Sequence, residues 1–236
     1  MNQNIAKVIL PLAALSCVHG KMLAQDAARP NILYIMCDDH AMQAISAYGS
    51  PISKLAPTPN IDRLAQRGML FRNCFVENSL STPSRACLMT GLYSHQNGQR
   101  QLAEGIDTTK TFVPELMQKA GYETGIVGKW HMMCRPKGFD YYYILDGQGK
   151  YYNPNFCTTG NYGKYKQEMG YATTLTTQHA IEFLDHRQKD KPFCLYVHHK
   201  APHRSWFAEP KHIGMYDGVD FPLPKTFWDN YENRGS

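Results

Sequence analysis

Asn31-Ile32-Leu33-Tyr34-Ile35-Met36-Cys37, followed at once by Asp38-Asp39-His40, sets the fold class of this 236-residue chain. The apolar run has strand length, and a strand hydrophobic on both faces belongs in a parallel sheet covered by helices. Paired acids therefore fall where a strand ends. In open α/β sheets ligands bind at that edge, and two hard carboxylates there suit calcium, with magnesium as the alternative. Taken alone, an Asp-Asp pair after a strand is usually only a solvated turn.

Working outward, runs over 69–76, 123–127 and 193–197 have the same strand character. They alternate with helical patterns over 60–67, 83–90, 112–120 and 173–187. Such alternation predicts an α/β fold, a mainly parallel central sheet with helices on both faces. Polar residues follow two more of the strand runs. Lys129 and His131 come after 123–127, and His203 comes after 193–197. Each alone could be a surface or loop residue.

Between the first two strand regions and the next lies Ser81-Thr82-Pro83-Ser84-Arg85-Ala86-Cys87-Leu88-Met89-Thr90-Gly91. Pro83 favours a first helical turn and Gly91 is a natural stop, so Ser81 is expected just before a helix N-terminus. Free backbone N–H groups and the positive end of the helix dipole make that an anion site. An ordinary Ser-Thr-Pro cap has the same local form.

Together with Thr58-Pro59-Asn60-Ile61-Asp62-Arg63-Leu64, Gly128-Lys129-Trp130-His131 and Lys200-Ala201-Pro202-His203, these blocks resemble type I sulfatases in the order that family uses. The resemblance implies an alkaline-phosphatase-like fold and hydrolysis of sulfate esters of carbohydrates. It also implies that Ser81 is oxidised by a dedicated maturing enzyme to formylglycine, whose hydrate attacks sulfur with one hydroxyl and expels sulfate with the other. Asp38, Asp39 and residue 81 would hold the calcium ion. Arg85 would pair with the diol oxygen, Lys129 would bind a sulfate oxygen, His131 would take a proton and His203 would face the leaving group. The Thr58-Pro59 block is read as helix capping without chemistry. The family continues past the end of this sequence, where it normally supplies an Asp-Asn pair to the metal, a second lysine and a smaller subdomain. Residues 25–236 are thus expected to be the amino-terminal part of a sulfatase domain.

From 135 to 171 the pattern lapses into Tyr, Gly and Asn, including Tyr141-Tyr142-Tyr143 and Gly147-Gln148-Gly149-Lys150-Tyr151-Tyr152-Asn153-Pro154. This reads as a surface insertion. Within the family it resembles enzymes acting on sulfated amino-sugars, notably N-acetylglucosamine 6-sulfate, with Gln148 and Tyr151 as substrate contacts. A loop held by stacked tyrosines is the other reading.

Composition narrows the classes. A net charge of +5 without a dense Lys/Arg tract argues against a nucleic-acid or membrane-surface binder. Lys7 and the apolar stretch 8–18 resemble a secretory leader spanning 1–24, too short for a stable membrane span, with cleavage after Ala24. Export to the periplasm or cell surface follows, and Cys17 raises a lipoprotein form. The cysteines show no C-x-x-C spacing, against zinc, and Cys37, Cys87 and Cys194 are expected to pack as small buried side chains. Two rivals stand beside the sulfatase reading: a phosphatase or phosphodiesterase of the same superfamily, and an inactive sulfatase-like fragment that binds glycans.

Overall fold

The computed structural model describes residues 29–232 and 235, and the fold belongs to the unit Asn31–Ser236. The expected leader, its cleavage point and Cys17 lie outside the described residues.

Six strands form one sheet: β1 (Ile32–Asp38), β2 (Glu123–Gly128), β3 (Tyr141–Leu145), β4 (Asn155–Thr158), β5 (Lys166–Gln167) and β6 (Phe193–Pro202). Their order is β1-β6-β2-β3-β4-β5. β1, β6, β2 and β3 run parallel, while β4 and β5 add antiparallel strands at one side. The helices are α1 (Pro59–Arg67), α2 (Ser81–Thr90), α3 (Ser94–Asn97), α4 (Val113–Lys119) and α5 (Ala172–His186).

The period of two along each strand sorts the side chains into two layers. Ile126, Tyr142, Ile144, Cys194 and Tyr196 meet Ala86 and Met89 of α2 and Phe112 at the start of α4. Val127, Leu195 and Val197 face the other way and pack on Ala180 and Phe183 of α5. The sheet is therefore covered on both faces, as the near-continuous apolar runs of β2 and β6 require. The Thr58-Pro59 block is structural, since Thr58 Oγ1 and Ser46 Oγ both hydrogen-bond the Asp62 carboxylate ahead of and within α1, at 3.0 and 2.5 Å.

Three expectations are corrected. The 69–76 run forms no strand; Met69, Phe71, Phe75 and Val76 are exposed, because no neighbouring strand among the described residues offers a ladder and strand propensity is weak without one. The 135–171 block is more than a surface insertion. It supplies β3, β4 and β5, and Tyr142 is buried in the core between flanking tyrosines that turn toward α5. Aromatic residues in a half-buried strand read as loop when Gly and Asn crowd them. Cys37 is exposed where Cys87 and Cys194 are buried. β1 is an edge strand paired on one side by β6, so Leu33, Ile35 and Cys37 lack the cover that a central strand receives.

Candidate active site

The carboxyl ends of β1, β2 and β6 and the start of α2 converge. α2 begins at Ser81 itself, with Leu80 in extended conformation ahead of it and Gly91 left-handed behind it. Ser81 is thus the first helical residue, one step further in than the Pro83 signal suggests. Its hydroxyl caps nothing. It lies instead 2.9 Å from His131 Nδ1, with Thr82 Oγ1 at 3.4 Å from the same atom.

Arg85, one turn along, is completely buried. Its Nη1 donates to the Lys129 carbonyl at 2.7 Å and to His198 Nδ1 at 2.8 Å. Nη2 stands 3.7 Å from Asp38 Oδ2. Neither Nη2 nor Nε has a hydrogen-bond partner. Burial lowers the Arg85 pKa to about 10, opposed by the Asp38 charge, so the guanidinium remains a cation at neutral pH. Buried, under-satisfied cationic donors are costly unless an anion meets them.

Lys129 follows Gly128 at the end of β2 and is also fully buried. Its ammonium donates to Asp38 Oδ2 and to Gln148 Oε1. Burial pulls its pKa down to about 8, against the pull of Asp38. For His131 burial is the first cause and the charges of Lys129 and Arg85 the next, together lowering it to about 4. The imidazole is therefore neutral. His203 donates from Nδ1 to the Arg204 carbonyl at 2.7 Å, leaving Nε2 3.6 Å from Asp39. Asp39 and His131 both hold left-handed backbone, φ 60 and 49, the kind of conformation that clusters at functional sites.

Gly128 makes this convergence available. At φ +90 it lets the chain turn so that the Lys129 N–H donates to the His198 carbonyl at 2.7 Å. A Cβ there would lie 2.1 Å from that carbonyl oxygen.

The expected metal ligands share one cleft. Asp38, Asp39, Ser81 and Ser84 line a cavity of about 280 Å³. The expected ligands Asp38, Asp39 and Ser81 offer oxygen, which fits a hard cation, while Cys37 and His40 also line the cavity; calcium takes six to eight oxygens. Among the described residues no three His, Cys, Asp or Glu side chains gather as a metal cluster. The residues present thus fit part of a calcium shell.

Of the two expected substrate contacts, Gln148 reaches the centre through Lys129. Tyr151 is buried, and its hydroxyl donates to the His203 carbonyl, so its polar group supports the backbone. One residue, His198, escaped sequence reasoning, and Lys200 appeared there only within the Lys200-Ala201-Pro202-His203 block, without a role. His198 and Lys200 are buried and carry on the face of Cys194 and Tyr196 toward the strand end. Polar residues at every second position beyond an apolar strand were the available signal. Arg85, Lys129 and Lys200 around Asp38 and Asp39 make the site an anion receptor with surplus positive charge.

Replacement of Arg85 by Lys is expected to lower kcat/KM in the full-length protein by roughly a hundredfold, the scale of losing one preorganised donor. A point charge cannot serve Lys129, His198 and an anion at once. Steady-state kinetics within threefold of the parent would contradict the role.

Residues 30–234 match the Sulfatase family model. The chain is 45% identical over 241 residues to an N-acetylglucosamine-6-O-sulfatase of Bacteroides thetaiotaomicron, covering all of this chain and 42% of that protein. It is 31% identical over 220 residues to human N-acetylgalactosamine-6-sulfatase, covering 78% of this chain and 42% of that one. A solved structure in complex with its substrate D-glucosamine-2-N,6-O-disulfate superposes with a TM-score of 0.83 at 47% identity, over 88% of this chain and 41% of the other. The chain spans about two fifths of the length of these relatives. The α/β fold is the alkaline-phosphatase-like one of its structural neighbours. By the match of nearly its whole described length, this chain belongs to the sulfatase family.

Proposed function

We propose that the chain carries the nucleophile-bearing part of an enzyme that removes sulfate from sulfated carbohydrates, with 6-sulfated N-acetylglucosamine as its substrate class. The observation that carries the reading is Arg85: a buried guanidinium whose Nε and Nη2 make no hydrogen bond, one helical turn from Ser81. The name of the B. thetaiotaomicron relative, N-acetylglucosamine-6-O-sulfatase, supports the choice of sugar.

In this proposal Ser81 is a precursor that a maturing enzyme oxidises to formylglycine. The hydrated aldehyde supplies a geminal diol, which allows attack on sulfur and later release of sulfate without a trapped ester. Asp38, Asp39 and residue 81 would contribute to the shell of a calcium ion, which would supply polarisation of a sulfate oxygen when bound. Its remaining ligands would come from the part of the family length that this chain does not span.

The chain's own groups then divide the work. Arg85 holds negative charge at residue 81, its free N–H groups reserved for the anion. His131, neutral and 2.9 Å from the residue 81 oxygen, accepts the proton there. Lys129, fixed by Asp38 and Gln148, presents its charge to a sulfate oxygen. His203 stands on the leaving-group side, with its Nε2 toward Asp39. Export to the periplasm or cell surface belongs to the same proposal and rests on the 1–24 segment alone.

Peptide-mapping mass spectrometry of the protein from its native host, paired with assays on matched 6-sulfate and 6-phosphate esters, tests the reading. The expected result is residue 81 lighter than Ser by two hydrogens, with the sulfate ester turned over. An unmodified Ser81 overturns the formylglycine step. Preference for the phosphate ester overturns the sulfatase assignment.

A further inference from the structure

We propose that the cavity beside the site, lined by Lys150, Lys200, Arg204, Tyr151, Tyr152 and Phe207, is a subsite for a second anionic group on the sulfated glycan; this rests on the sulfatase reading above. The cavity measures about 360 Å³, within the range of small-ligand sites. Three cations line it and no carboxylate does. Lys200 Nζ lies 5.0 Å from the Tyr151 ring centre, and its hydrogen-bond contact is the Arg204 carbonyl at 3.5 Å. The side chains of Lys150 and Arg204 have neither an ion pair nor a hydrogen bond among the described residues. Uncompensated positive charge in a concave, ring-walled space favours an anion, and the guanidinium fork suits sulfate or carboxylate oxygens.

The cavity adjoins the reacting centre on two sides. Gly149 lines it and is the neighbour of Gln148, which accepts from Lys129. Lys200 lines it too, and feels the charges of Asp38 and Asp39. One sulfated sugar can therefore engage both.

The wall is held in place before any ligand arrives. Three tyrosine hydroxyls grip the backbone after β6: Tyr151 at the His203 carbonyl, Tyr152 at that of Ala208 and Tyr171 at that of Phe207. Tyr151 and Tyr171 stack with ring centres 5.8 Å apart. This clamp fixes the segment that carries Arg204 and Phe207, so little ordering cost remains for binding.

A second sulfate on the same ring and a uronate carboxylate on the neighbouring sugar offer the same chemistry. Isothermal titration of the full-length Ser81→Ala protein, which cannot turn over, separates them with three probes. These are N-acetylglucosamine 6-sulfate, D-glucosamine 2-N,6-O-disulfate, and a disaccharide of a uronic acid with 6-sulfated N-acetylglucosamine. One dianionic probe is expected to bind about tenfold more tightly than the monosulfate, and which one does so identifies the source. In Lys150→Gln or Arg204→Gln, both exposed positions, that ratio should fall toward one. An unchanged ratio in both variants, or no preference to begin with, overturns the subsite alone. Failure of all three probes to bind removes the sulfatase reading and the subsite together.

Discussion

Ser81→Ala in the full-length protein is expected to abolish turnover and to leave the fold in place. The side chain is half-buried at the first position of α2, and its one group, the hydroxyl, meets His131 Nδ1 at 2.9 Å. Among the described residues the other hydroxyl at His131 Nδ1 is Thr82 Oγ1, at a long 3.4 Å, and on the proposed maturation a methyl group cannot become an aldehyde. The loss is expected to reach at least roughly 10⁴-fold in kcat, the scale seen when a covalent nucleophile is removed. Stability should change by less than about 1 kcal/mol, because the deleted hydroxyl caps no helix and fills no core. Turnover and chemical denaturation measured on one preparation separate the two effects. Activity within tenfold of the parent would sink the assignment of residue 81.

Gly128→Ala should prevent folding. The residue sits at φ +90 in the last position of β2, and an added Cβ would stand 2.1 Å from the His198 carbonyl oxygen and 2.8 Å from Thr176 Cγ2. Relief would require β2 to move away from β6. That movement would break the ladder from Glu123–Phe193 to Gly128–His198 and the hydrogen bond from the Lys129 N–H. Backbone strain and a lost ladder together are expected to cost more than about 4 kcal/mol, a large share of the stability of a domain. Gly147→Ala is the control. It too has positive φ, at 51, but nothing lies within 4 Å of its would-be Cβ, so only the left-handed penalty of about 1–2 kcal/mol applies. Soluble yield and urea midpoints of the two variants should differ sharply. Equal stability would show that β2 and β6 accommodate a side chain at Gly128.

Both variants touch residues whose identity the sequence displays and whose partners it conceals. Ser81, Arg85, Lys129, His131 and His203 stand in recognisable blocks, yet the closeness of Ser81 to His131 across fifty positions is a product of the sheet order. Arg85 illustrates the limit further. The resemblance assigns Arg85 a role but not its surroundings, and only the meeting of α2 with the ends of β2 and β6 buries it against His198 and the Lys129 carbonyl. His198, and the burial of Lys200 at the site, were hidden for the complementary reason: β6 continues past the apolar run to Pro202, carrying polar residues where the hydrophobic pattern has stopped.

By itself, the sequence determined the α/β class, the parallel core strands β1, β2 and β6, all four main helices to within two residues at each end, and the family. Short-range rules suffice for these, because burial on both faces and helix punctuation are written in adjacent residues. The tertiary structure decided the fate of 69–76, the recruitment of Tyr141–Leu145 into the sheet, the exposure of Cys37 and the surplus of buried cations around Asp38. Those depend on which strands find neighbours and which charged side chains are driven together, and pairing is a long-range outcome that no local pattern encodes.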